Sequence, residues 1–320
     1  MNIATKENGK TKKRINQRQL KRFLFFISIV TLPILQFCIC YIYVNFNSFI
    51  LAFQKYDKSS TPGVVYDISF AWFANFKEAI KLLSKTPYMF KNSLLLFFFT
   101  TIIGLTLALI FSYYIYKKYP FGEFFRVILF MPKILSGIVF CSLFLQITTE
   151  VYPIIVDKIF SKDVMGLLDD DKTQLGTMLF FCVWIGFGVN VLMFSGAMSG
   201  IDEAIVESAQ LDGANAIQEF IFITVPMIWP TFVSFLVINF TGLFTDQMHL
   251  HAMFGPQPKG ELDTFGFYLY RKTVGAELIK SSDEPTYSIL SAMGLMMTAV
   301  MLPLTLLLRK GLRKFGPSVD

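Results

Sequence analysis

Six apolar runs, each close to the roughly 20 residues that carry a helix across a bilayer, constrain this chain more than anything else in it. They fall at about 23–46, 93–116, 126–148, 175–199, 221–245 and 289–308. With 54% hydrophobic and only 16% charged residues over 320 positions, an ordinary soluble domain is excluded. Ser, Thr, Gly and Pro interrupt several runs, which a bundle accommodates by satisfying the freed backbone groups from neighbouring helices. The expected fold is all-α: a polytopic transmembrane helical bundle with six spans.

Basic residues set the orientation. Lys6, Lys10, Lys12, Lys13, Arg14, Arg18, Lys21 and Arg22 face the lone Glu7 in the tail 1–22, and Arg309, Lys310, Arg313 and Lys314 occupy the tail 309–320. Short basic loops stay inside, so both termini are expected to be cytoplasmic, with Lys117, Lys118 and Arg126 on the same side and the Asp169-Asp170-Asp171 run within 150–172 outside. The first run, 23–46, is too long and lacks the small-residue site of a cleaved signal peptide, so it reads as a retained span. The net charge of +6 is mostly tail charge; it fits anchoring at membrane lipid, and no nucleic-acid partner is expected. Residues 11–22 fit either a basic surface helix or a disordered tail. Cys38, Cys40, Cys141 and Cys182 all lie in expected spans and read as packing residues.

Between the first two spans, the outer segment 47–92 begins turn-rich (KYDKSSTPG) and ends in FAWFANFKEAIKLL. Phe73, Phe76, Ile80 and Leu83 recur there at helical intervals and predict an amphipathic interfacial helix. A second outer segment, before the last span, reads as a loop (FGPQPKGELDT) followed by a short helix (TFGFYLYRKTV). No Gly-rich phosphate loop precedes any helix, so ATP binding by that route is not expected. His249 and His251 lack further ligand types nearby, and neither a metal site nor a cofactor is expected.

Within the core region 93–308, the loop 200–220 breaks the rule that inner loops are basic. Asp202, Glu203, Glu207, Asp212 and Glu219 are present, and residues 202–230 contain no Lys or Arg. Glu203, Glu207 and Gln210 fall on one helical face, with Ile201, Ile205, Ser208 and Ala209 on another. Gly213 allows a left-handed turn, and Asp212 is placed to cap the following helix, whose apolar side would be Ala216, Ile217, Phe220 and Ile221. The product is a helix–turn–helix offering carboxylates and a few apolar contacts to a basic protein partner.

This loop resembles the EAA loop of binding-protein-dependent ABC importer permeases, through Glu207, Ser208, Ala209, Asp212, Gly213, Ala214, Phe220, Ile223, Thr224, Pro226 and Pro230. Ser208 replaces the usual second Ala, and Ile201-Asp202 stands where Ile-Pro is common. Asn75 and Phe76, then Gly255, Pro256, Thr264, Tyr268 and Tyr270, and the YSILSAMG start of the last span resemble the carbohydrate branch, nearest the maltose-transporter type of first permease subunit. The resemblance covers most of the chain from about residue 40 onward.

What the resemblance implies is a non-enzymatic subunit of the bacterial plasma membrane that forms half of a path for a sugar, expected to be an oligosaccharide. Its partners would be a second homologous permease, two cytoplasmic ATPase subunits and an extracytoplasmic sugar-binding protein. Glu203, Glu207, Ser208, Ala209, Asp212, Gly213 and Ala214 would meet the ATPase. A polyol or glycerol phosphate as substrate, or a scaffold without transport, are the other readings. Polar groups within spans either line a path or bond neighbouring helices; Asn190, Ser234, Asn239 and Thr298 are candidates for the path, with Ser136 and Gln146 beside them. Lys133 is expected to snorkel to the inner surface, with lining of the path as the lesser option.

Overall fold

The apolar runs become helices, and polar residues at their ends decide how the helices lock together. The structure is a computed structural model and describes residues 17–58, 66–255, 261–275 and 287–316. Helix α1 (Lys21–Ala52) is the first span. An antiparallel hairpin, β1 (Gln54–Lys58) and β2 (Tyr66–Phe70), pairs Gln54 with Phe70 and leads into α2 (Ala74–Lys85). Next come α3 (Pro87–Tyr116), α4 (Gly122–Ile134), α5 (Gly137–Phe160) and α6 (Gln174–Met198). A short α7 (Glu203–Leu211) precedes α8 (Ala216–Met227) and α9 (Trp229–Gly242). Two short helices, α10 (Leu250–Phe254) and α11 (Phe265–Gly275), lead to α12 (Tyr287–Phe315). The chain is a polytopic helical membrane protein, with five helices long and apolar enough to span, and a sixth crossing if the bent pair α8–α9 counts as one.

Two expected spans are broken. The run 126–148 divides at Leu135 and Ser136, whose ψ angles of 153° and 127° are extended rather than helical. Pro132 lies three residues before the break and cannot donate a hydrogen bond to the turn beneath it. The crossing helix is therefore α5, and it continues to Phe160, through a region expected to be an outer loop. The run 221–245 divides at Ile228, where α8 and α9 meet at 70°. Pro230 removes the N–H that would have closed the turn across that joint. Helix α1, by contrast, carries Pro33 and α12 carries Pro303 without a break of this kind.

On the outer segment, α2 buries Asn75 and Ala79 and half-buries Phe76 and Leu83, while Phe73 and Ile80 of the expected apolar face stay exposed. The Asn75 side-chain amide donates to the carbonyl oxygens of Ala52 and Gln54, both at 2.8 Å. That pair of bonds locks α2 onto the end of α1. The β1–β2 hairpin, unexpected from the sequence, grows out of the segment read as turns; residues 59–65 between its strands lie outside the described residues, as do 1–16, 256–260, 276–286 and 317–320. From residue 17 the tail is helical and continuous with α1.

The core has three apolar clusters. Tyr113, Leu105 and Ala108 of α3 pack with Phe194 and Met198 of α6, Val206 of α7 and Ile228. Phe140 and Phe144 of α5 pack with Met178 and Phe181 of α6, Cys141, Cys182, Met248 and Leu250. Ala52, Ala79, Met89, Phe265 and Met293 form the third, so the ends of α1, α2, α3, α11 and α12 meet. Cys38 and Cys40 are exposed on α1 rather than packed, and all four thiols are free.

Candidate coupling surface and cavity

Asp202 starts α7. Its carboxylate accepts the Ala204 N–H at 3.0 Å, which explains how the helix begins without the proline expected there. Ile201 and Val206 are buried beneath α7, whereas Glu203, Ile205, Glu207 and Ser208 are exposed and Ala209 is half-buried. The buried stripe is thus one residue off the expected Ile205–Ser208 line. After Leu211 the helix ends in a Schellman turn: Ala214 N–H reaches Ala209 O at 3.0 Å and Gly213 N–H reaches Gln210 O at 3.1 Å. Gly213 takes the left-handed conformation at φ +85°, as its sequence position predicted. Asp212 closes α7 instead of opening α8. Asn215 caps α8, in a reciprocal capping box with Gln218 at 2.9 Å in both directions. An Asx residue two positions beyond the glycine suits the start of α8 because Gly213 and Ala214 are consumed by the Schellman turn.

Among the exposed groups of this elbow, Leu211 and Ile217 are apolar side chains 89% and 70% accessible. Glu207 makes no hydrogen bond or ion pair among the described residues. The apolar side expected for α8 is not buried against the bundle: Ala216, Ile217 and Ile221 are exposed and Phe220 only half-buried.

Sequence reasoning passed over the residue that α8 does bury. Glu219 is 2% exposed, and its carboxylate accepts bonds from Lys117 Nζ at 2.9 Å to each oxygen, Tyr113 OH at 3.1 Å and Gln210 Nε2 at 3.1 Å. The single Tyr113 O–H proton is shared between that carboxylate and Ala216 O, which lies at 3.0 Å. A signal existed: Glu219 stands with Ala216, Phe220 and Ile223 at i, i+3, i+4 and i+7 spacing, a carboxylate on an apolar stripe that needs a buried cation.

About halfway along α3 lies a cavity of about 320 Å³. Thr100 and Gly104 of α3, Lys133 of α4, Cys182, Gly186 and Asn190 of α6, Asn239 of α9, Asp246 and His249 line it. Asn190 and Asn239 are therefore brought together. Ser234 and Thr298 are not: each donates to a carbonyl of its own helix, Pro230 O at 2.8 Å and Gly294 O at 2.9 Å. Ser136 sits exposed at the α4–α5 break, and Gln146 is exposed on α5. Helix α4 delivers Lys133 to the cavity wall, the placement given as the lesser option from the sequence.

The two histidines diverge. Consecutive left-handed residues, Met248 and His249 (φ 51° and 55°), turn His249 to the cavity with its ring edge-on to Phe181 at 5.7 Å. His251 packs on Tyr270 at 4.9 Å. Burial pushes the His249 pKa below 6.5, the nearby Lys133 charge reinforces this, and Asp246 opposes it. Asp246 itself accepts the Met248 N–H at 2.7 Å. No group of three His, Cys, Asp or Glu suited to a metal occurs among the described residues.

A family profile described as the inner membrane component of binding-protein-dependent transport systems matches residues 17–319. The chain belongs to this family. It is an ABC permease subunit, a transport component rather than an enzyme, in a multi-pass membrane setting. Among its relatives is the arabinooligosaccharides transport system permease protein AraP of Bacillus subtilis, 26% identical over 247 residues and 75% of each chain. Another is the multiple sugar-binding transport system permease protein MsmF of Streptococcus mutans, 22% identical over 225 residues, 67% of this chain and 74% of that one. In fold the permease is similar to a chain from the crystal structure of a bacterial ABC transporter involved in import of the acidic polysaccharide alginate. That match has a TM-score of 0.72 at 20% identity and covers 93% of this chain and 98% of that one.

Proposed function

We propose that this permease forms half of the translocation path of an ATP-driven oligosaccharide importer, with α7 docked on a cytoplasmic ATPase and the cavity holding a sugar in transit. A second permease, a pair of ATPase subunits and an extracytoplasmic sugar-binding protein complete the machine. One observation carries the reading: a single continuous helix, α3, contacts the base of the exposed α7–α8 elbow at Tyr113 and lines the polar cavity at Thr100 and Gly104. Asn190 and Asn239 supply amides that both donate to and accept from sugar hydroxyls. Lys133 is the one cation on the described cavity wall and Asp246 offsets it, which favours an uncharged polyhydroxylated substrate over a glycerol phosphate. The names of the sugar-permease relatives support the same class.

In the docked complex Glu207 meets basic side chains of the ATPase, a charge-assisted contact in a partly desolvated cleft. Losing it there costs about 2–5 kcal/mol. The test is purification with the partners and a screen of oligosaccharides and polyols for stimulated ATP hydrolysis. An oligosaccharide is expected to stimulate, and Glu207→Ala is expected to reduce both stimulation and uptake while the protein still inserts. Normal uptake by Glu207→Ala, or stimulation by polyols alone, overturns the assignment.

A further inference from the structure

Resting on that transport reading, we infer that Glu219, clamped by Lys117, Tyr113 and Gln210, is the positioning residue that transfers movement of the α7–α8 elbow to the cavity through α3. The covalent route is poor. From α7 the chain passes to α8, but α8 joins α9 at a 70° bend across Ile228, and a push along a jointed pair dissipates at the joint. The non-covalent route is direct. Gln210 belongs to α7, Glu219 to α8, Tyr113 to the last turn of α3, and Lys117 is the residue that closes α3.

Four hydrogen bonds converge on one carboxylate that is 2% exposed, with its lysine partner 19% exposed. A buried pair of this kind holds geometry firmly, because breaking it strands a charge away from water. Gly104 lies nine residues back from Tyr113 along continuous helix, about 14 Å at 1.5 Å per residue. At that point α3 contains a π-helical turn, Phe99–Gly104, and two of its residues form the cavity wall. Rotation or translation of the clamped end therefore reaches the cavity as a rigid-body motion of one rod. Cys182 on the facing wall of the cavity is a native reporter of it.

The experiment uses the complete transporter in proteoliposomes, with Cys38→Ser, Cys40→Ser and Cys141→Ala leaving Cys182 as the sole thiol. Two quantities are read: sugar uptake per ATP hydrolysed, and the change in Cys182 modification by a small methanethiosulfonate reagent on trapping with ATP and vanadate. Glu219→Gln and Lys117→Gln are expected to lower uptake per ATP by about three- to tenfold and to flatten the ATP-dependent change at Cys182. The exchange of Lys117→Glu with Glu219→Lys is expected to restore part of both. A purely structural role would change yield and leave the ratio and the labelling change intact, and that result overturns the inference. Should Glu219→Gln not assemble, Tyr113→Phe decides: it removes one donor, and an unaltered ratio and labelling change in that variant also overturn the inference. A wild-type complex that hydrolyses ATP without moving any sugar overturns the transport reading itself, and this inference with it.

Discussion

At Gly213, among the described residues, no atom beyond the two adjoining residues lies within 4 Å of the place a Cβ would occupy, although φ is +85°. Any other residue pays conformational strain there, about 1–2 kcal/mol, whatever its size. Gly213→Ala and Gly213→Trp therefore share the strain and differ in bulk alone. Uptake by the Trp variant is expected to fall well below that of the Ala variant because a partner occupies the open space; equal uptake would mean that nothing approaches the turn. His249 makes a second prediction at this scale. Its folded pKa is depressed, so the contribution of the neutral ring to stability is present above the ordinary value of 6.5 and is lost as pH falls through the folded value. Uptake is expected to hold steady through neutrality and decline on acidification below 6.5, with His249→Gln flattening the acid limb of the profile. Residues such as Gly213 were legible because the backbone requirement is local. Glu219 and Glu207 are both acids within one short helical pair, and what separates them is Lys117, 102 positions away from Glu219; no local pattern contains that distance.

Among elements, spans bounded by clear polar flanks were readable to within a few residues. The second was expected at 93–116 and runs Pro87–Tyr116; the fourth was expected at 175–199 and runs Gln174–Met198. The runs that misled contain Pro132 or Pro230, where hydropathy stays high while the hydrogen-bond ladder is cut. Hydropathy measures partition into lipid, and the broken segments partition as well as straight ones. The pairing of α4 with α6 was equally hidden, since it rests on one small residue. A Cβ on Gly188 would strike the backbone at Leu129, with Phe130 Cα only 2.9 Å away. Backbone cannot yield as a side-chain tip does. Gly188→Val is expected to lower stability by about 1–3 kcal/mol, read as a lower melting temperature in detergent. Because α4 carries Lys133 into the cavity, uptake should fall as well; a variant with unchanged melting and uptake would show that α4 does not depend on this approach.

For the whole molecule, α3 serves as a ruler. At one end of it, Lys117 and Tyr113 hold Glu219 at the start of the bent pair. At the other, the Asn92 side-chain amide donates to Glu261 O at 2.8 Å and Asp263 O at 3.1 Å, and Ser93 Oγ accepts the Phe265 N–H at 3.0 Å, all beyond the bent pair. Between Glu219 and Asp263 the chain has travelled the full length of α3, so α8 and α9 together make one crossing despite their bend. Helix α12 then starts among Met89, Phe265 and Met293 and ends where Leu312 O accepts the Trp229 Nε1–H at 3.3 Å, near the elbow end. Helix α1 reaches that same cluster with Ala52, its last residue, which puts its basic beginning back at the elbow end. With the bent pair as one span, the candidate spans number six, and Lys21 and Lys314 lie at the same end as Lys117. Three basic groups at one end of the bundle agree with the rule that such residues remain inside. Cysteines placed singly at Glu203 and at Lys310, in a background free of native thiols, are expected to resist a membrane-impermeant maleimide in intact cells, and one at Lys162 to react. Labelling of residue 310 from outside with residue 203 protected would mean that α8 and α9 enter and leave on the same face, and the rod from elbow to cavity would then have no second crossing to work against.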